Sequence, residues 1–152
     1  GRELLGTIGE QQEKGLDALR GLGIIDHYQG GLPAAIDKLS AARTGFMAVF
    51  GDGSPDVQGA SYWLAVALIE AGRIDEAADL TERLQPEALR TSFGGNAWDV
   101  RLNALRAKIM MRQGRVQEGR ALLTAATSQL QRVGVPSWMI ESLDREPVIA
   151  QN

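Results

Sequence analysis

The sequence predicts an all-α fold, an array of helix-turn-helix repeats with about seven helices. Three observations carry that expectation. Apolar residues recur at helical spacing, as at Ala60, Trp63, Leu64, Ala67 and Leu68. Gly30, Gly72 and Gly114 end three such stretches, each 42 residues from the next. The segments around these glycines align without a gap: "QGGLPAAIDKL" (29–39), "AGRIDEAADL" (71–80) and "QGRVQEGRALL" (113–123). A fixed period of this size marks a chain of stacked supersecondary units, none of which buries its apolar face alone.

Taken in order, residues 1–15 read as the tail of an earlier unit. "TIGEQQEKG" (7–15) resembles "VFGDGSPDV" (49–57), and Gly9 and Gly51 are again 42 apart. With Gly1 rather than Met at the start, the expectation is a piece of a longer array. Its helical residues 1–8 would then be poorly covered, and the bare end would be able to pair with a second copy as a homodimer. Three units follow, at 16–57, 58–99 and 100–141. Each reads as two helices. The first helix ends at a glycine that takes the left-handed conformation without strain. In the second unit Asp75 and Glu76 open the next helix, where acids meet the positive end of its dipole. Ala77, Leu80 and Leu84 form its inner stripe. The loop "GDGSPD" (51–56) joins units one and two, with Ser54 as N-cap and Pro55 in the first turn. Leu39, Thr81 and Leu123 share a column, as do Ala42, Leu84 and Ala126. Pro136 and Ser137 open a last helix at 136–146, whose Trp138, Met139, Ile140 and Leu143 suit a cap on the open end of the array.

Composition excludes more than it assigns. Apolar residues make up 44% and charged residues 23%, as in ordinary globular domains. A net charge of −3 argues against bulk attraction to nucleic acid. With no cysteine, disulfides and thiolate metal sites are excluded. The single histidine, His27, has no acidic cluster beside it in sequence. No apolar run approaches the ~18 residues of a membrane span, and no signal peptide is visible, so a cytoplasmic protein is expected. No Ser/His/Asp set has supporting context, "GDGSPD" lacks the lysine of a P-loop, and "GLG" (21–23) follows no strand. The expectation is a protein that is not an enzyme and uses no cofactor.

The pattern resembles tetratricopeptide repeats. Small residues Gly23, Ala65 and Ala107 in the first helices match partners Ala35, Ala77 and Gly119 beyond the glycine turn. The 42-residue period is more similar to the kinesin-light-chain type found in bacterial multidomain proteins than to the ~34-residue consensus. The resemblance covers roughly residues 1–135 and implies a right-handed superhelical array. Asp26, Thr81 and Arg106 depart from it, standing where the family places an aromatic or large apolar residue. The implied function is a protein–protein interaction scaffold within a larger signalling or transcriptional regulatory protein, holding a peptide segment in a concave groove. The alternative is a ligand-sensing domain that binds a small molecule in a superhelical pocket.

One stripe on the first helix of the third unit suits such a groove. Arg101, Lys108 and Arg112 are 7 and 4 residues apart, which returns each side chain to within about 20° of one face. In the resemblance, first helices line the concave side. The matching columns hold Asp17, Ile24 and Tyr28 in the first unit, and Gly59, Val66 and Glu70 in the second, with Arg20 and Tyr62 one turn along. The candidate groove residues are therefore Arg20, Tyr28, Tyr62, Glu70, Arg101, Lys108 and Arg112. The implied partner is a protein or peptide, acidic in character.

Overall fold

The computed structural model describes the backbone of residues 2–94 and 97–134, and side chains over 11–94 and 97–134. Seven α-helices and no strand occur among the described residues: α1 (Arg2–Tyr28), α2 (Leu32–Phe50), α3 (Pro55–Glu70), α4 (Ile74–Glu82), α5 (Pro86–Phe93), α6 (Trp98–Arg112) and α7 (Val116–Arg132). The expected helix at 136–146 and the last residues of the third unit lie outside the described residues.

The 42-residue period is written into the backbone. Gly30, Gly72 and Gly114 have φ of 82°, 80° and 93°. After each, the next N–H reaches back five residues: Gly31 to Asp26 O (2.8 Å), Arg73 to Leu68 O (2.9 Å), and Arg115 to Met110 O (2.9 Å). This is the Schellman closure, which satisfies carbonyls the helix end leaves open. The following helix then starts with the same bond three times, from Ala35, Ala77 and Gly119 to Gly31, Arg73 and Arg115. Three hairpins, α1–α2, α3–α4 and α6–α7, thus turn alike because their sequences turn alike.

The matched small residues sit where helices cross. Ala35, Ala65, Ala77 and Ala107 are fully buried. A methyl group on Gly119 would lie 2.6 Å from Ala107 O, and one on Gly23 would lie 2.8 Å from Leu39 Cγ. Ser54 caps α3 as expected, its hydroxyl accepting from Val57 N–H (3.2 Å), with Pro55 in the first turn. Helices α1–α2, α2–α3, α3–α4, α5–α6 and α6–α7 pack in succession, and α3, at the centre, also touches α1, α5 and α6. The main core runs through that centre, with Leu39, Leu68, Ile69, Leu89, Leu102 and Leu105 all buried. Smaller clusters serve the α6–α7 hairpin and the α1–α2–α3 junction.

Two boundaries differ from expectation. The division at residue 15/16 falls inside α1, which runs unbroken through Gly9 and Gly15. The second unit is not a plain pair: α4 stops at Glu82 and a third helix, α5, follows. Pro86 explains the stop. It lacks an N–H and disfavours helical geometry at the residue before it, and Gln85 is indeed extended (φ −122°, ψ 127°). Leu84 keeps its buried place in the inner column, but from the turn rather than from α4.

The departing residues find local solutions. Thr81 is buried and its hydroxyl donates to Ala77 O at 2.7 Å, so no polar group is stranded. Asp26 pairs with Lys38 of α2. Arg106 is exposed and donates to Asn103 Oδ1 (3.2 Å) on its own helix.

Candidate functional site

Helix α5 lies against α3, and Gly59 of α3 and Arg20 of α1 both meet it. A methyl group on Gly59, in the middle of α3, would sit 2.5 Å from Ser92 Oγ and 3.0 Å from the Phe93 ring. Glycine at 59 is therefore what lets α5 approach α3 so closely. From α1, Arg20 reaches across to donate to Ser92 Oγ (3.4 Å).

An aromatic cluster results. Phe93 has its ring centroid 6.4 Å from Trp63 and 5.6 Å from Trp98. Tyr62 stands edge-on to Trp63 (5.4 Å) and to Trp98 (5.2 Å). Tyr28 and His27 extend the cluster from α1, with centroids 5.7 Å and 6.0 Å from Trp63. Two guanidinium groups border it. Arg20 lies 5.2 Å from the Phe46 ring centroid and 5.6 Å from that of Phe93, and Arg101 lies 4.9 Å from that of Trp98. A cation over a ring face gains from the ring's quadrupole, most so where water is excluded.

The expected groove residues fare unequally. Tyr62 is 4% exposed, so it is part of the core rather than a platform for an incoming chain. Burial pushes its phenol up to about 12, against a smaller opposing pull from Arg101. Tyr28, by contrast, is 52% exposed. Arg20 is largely buried, and its charge is met by Asp17 (3.2 Å) and Asp56 (3.6 Å). Glu70 faces His27, with Oε2 3.4 Å from Nδ1. Asp26 and His27, neighbours in sequence, thus serve different partners. Arg101 and Arg112 share a helix but not a neighbourhood, because eleven residues of rise separate them by about 16 Å. Arg101 belongs to the aromatic cluster, whereas an Arg112 Nη lies 3.7 Å from where a methyl on Gly72 would be, at the α3–α4 turn. Lys108, half-buried, stands between them on α6.

Sequence reasoning missed the heart of the site: Trp63, Phe93, Trp98 and the helix that carries Phe93. Pro86 was the available signal. A proline twelve residues beyond the start of a second helix breaks the two-helix pattern and marks inserted structure. Trp98 is tied to the same insertion, its indole N–H donating to Gly94 O at 3.0 Å.

Among the described residues no group of His, Asp or Glu is arranged to hold a metal ion, and no helix is long and apolar enough to cross a membrane. No protein-family model matches the chain, and no curated protein matches it either.

Proposed function

We propose that the chain is a protein-interaction scaffold: a right-handed, tetratricopeptide-like array whose α1, α3 and α6 form a concave face that holds a peptide segment of a partner protein. The observation that supports this reading is the threefold 42-residue turn, alike in glycine conformation and hydrogen bonding; in solenoid arrays, hairpins that turn alike stack with like columns on one side. Such arrays present extended surfaces rather than catalytic clefts. Tyr28 on α1 and Lys108 and Arg112 on α6 belong to the aligned columns, and an aromatic anchor together with cations suits a segment with apolar and acidic residues. A place in a cytoplasmic signalling or transcriptional regulator accords with this role.

The test is a peptide array probed with the parent and with Lys108→Glu/Arg112→Glu. Acidic segments should be enriched in the parent's captures, and the enrichment should fade with added salt and in the variant. A capture set that ignores both changes would refute the groove.

A further inference from the structure

Between α2, α3 and α4, beside the loop that carries Asp52 and Gly53, lies a cavity of about 170 Å³. Arg43 of α2, Gln58 and Ser61 of α3, and Arg83 at the end of α4 line it. The fold holds these groups in place. Arg43 is half-buried and donates from Nε to Ser61 Oγ at 2.9 Å. Ser61 is itself only 5% exposed. Gln58 is buried and takes both Arg83 O (2.9 Å) and Gln85 N–H (2.7 Å), which fixes the backbone from which the Arg83 side chain projects.

What these bonds leave over is a set of donors. With Nε engaged, Arg43 keeps both Nη groups, the end of the fork that meets an oxyanion bidentately. Ser61 Oγ accepts from Arg43, and among the described residues its own hydroxyl proton has no acceptor. A buried hydroxyl proton in that position carries a desolvation cost that a bound acceptor removes. Among the described residues neither Arg43 nor Arg83 has a carboxylate within ion-pair distance, whereas Arg20, Arg73, Arg90 and Arg115 each do. Asp52 is the one acid among the described residues of this lining, so two guanidinium groups outweigh it. A second cavity, of about 270 Å³, adjoins the first and shares Arg43, Leu80 and Arg83 with it. It adds Asp79, Glu76 already paired with Arg73, and the apolar Leu64 and Leu68. Its acids disfavour an anion there. The seat for an anion is therefore the first cavity, and the second suits an uncharged body attached to it.

We propose that the first cavity binds a phosphate group, held by Arg43 from α2 and Arg83 from the end of α4, with the Ser61 hydroxyl donating to a further oxygen. A tetrahedral phosphate accepts from several directions at once, which suits donors placed on three helices better than a planar carboxylate does. The phosphate comes either as the free ion or on a phosphorylated side chain, whose backbone then lies over the second cavity. The site shares no side chain with the aromatic cluster, and it stands whether or not the concave face holds a peptide.

The probes are inorganic phosphate, acetate, and a short end-capped peptide with a phosphoserine between alanines. Each is titrated calorimetrically into the full chain at one ionic strength held with chloride, so that screening is equal throughout. Phosphate should bind saturably and at least about fivefold more tightly than acetate, as its matched donors require. Arg83→Gln, at an exposed side chain, should weaken phosphate by at least about fivefold, as the loss of a charge-assisted partner does, and so should Arg43→Gln. Arg73→Gln, which borders only the second cavity, should leave the affinity nearly unchanged. If Arg43→Gln does not melt cooperatively, Arg83→Gln decides, together with the Arg43 Nε–H resonance of the parent, which should shift as phosphate is added. A phosphopeptide that binds more tightly than the free ion marks a phosphorylated segment as the ligand, and one that binds equally or less marks the free ion; either result upholds the site. No saturable phosphate binding, acetate bound as tightly as phosphate, or an affinity untouched by Arg83→Gln overturns it.

Discussion

A methyl group on Gly119 would meet Met111 Cγ at 2.5 Å, Ala107 O at 2.6 Å and Met111 N at 3.0 Å. Two of these three are backbone atoms, which cannot swing aside. Gly119→Ala should therefore destabilise the protein by about 1–3 kcal/mol, as overpacking does. Gly15 is the control. It sits inside α1 with nothing within 4 Å of an added methyl, so Gly15→Ala should stabilise by about 0.5–1 kcal/mol through helix propensity alone. Thermal melts of both variants check the contrast, and the same sign for both would contradict the packing. A second residue-scale effect belongs to Tyr62. Burial raises its phenol from 10.0 to about 12. Ionisation is easier in the unfolded chain, so the stability that rests on the neutral phenol is whole below pH 10 and is lost as pH rises towards 12. Its size is on the order of 2 kcal/mol. Urea titrations across that range should show a steeper loss for the parent than for Tyr62→Phe.

Among the elements, α4 and α5 depend on one polar residue. Gln58 of α3 accepts from Gln85 N–H and donates to Arg83 O, fixing the turn between the two helices from within the core. Gln58→Ala strands both backbone groups, at about 1–3 kcal/mol each if they stay dry. Hydrogen exchange should rise first in α5, and unchanged protection there would show that the turn holds without the glutamine. The same region shows where sequence reading succeeds and fails. The three hairpin turns were legible because a glycine, a small partner and an acidic or apolar start are local requirements that repeat. Ser54 and Pro55 were legible for the same reason. α5 was not, since its place is set by Leu89, Phe93 and a missing side chain at Gly59, three residues that meet only in the folded chain. The burial of Tyr62 against Trp63 and Trp98 is likewise a meeting made only in the folded chain, so it was hidden too, and with it the division of the basic stripe into a part at the aromatic cluster and a part at the turn.

At the scale of the molecule, the heaviest packing is between helices adjacent in the chain, and contacts of α3 with α5 and of α4 with α6 tie the hairpins together. The α6–α7 hairpin has its own cluster, containing Ala107, Leu123, Ala126 and the fully buried Leu130. Leu130→Ala should cost about 2–5 kcal/mol. In a nearest-neighbour array that loss stays local. Amide protection should fall in α6 and α7 and persist across α1–α3, and a uniform fall over the chain would mean that the hairpins unfold as one. The open side of this arrangement is visible on α1. Leu22 and Ile25 are each 50% exposed, whereas their equivalents Leu64 and Ala67 on α3 are buried where α2 and its neighbours cover that helix.

The aromatic cluster also gives the protein an optical handle. Of its three tryptophans, Trp63 and Trp98 both border Phe93, and Trp98 lies beneath the Arg101 guanidinium. Indole emission and near-ultraviolet dichroism depend on ring contacts and on nearby charge. With Trp138 replaced by phenylalanine, every photon from an indole would come from the two walls around α5. Changes in the packing of Phe93 and Arg101 around these two indoles could then be followed in real time, in unlabelled protein, by colour alone.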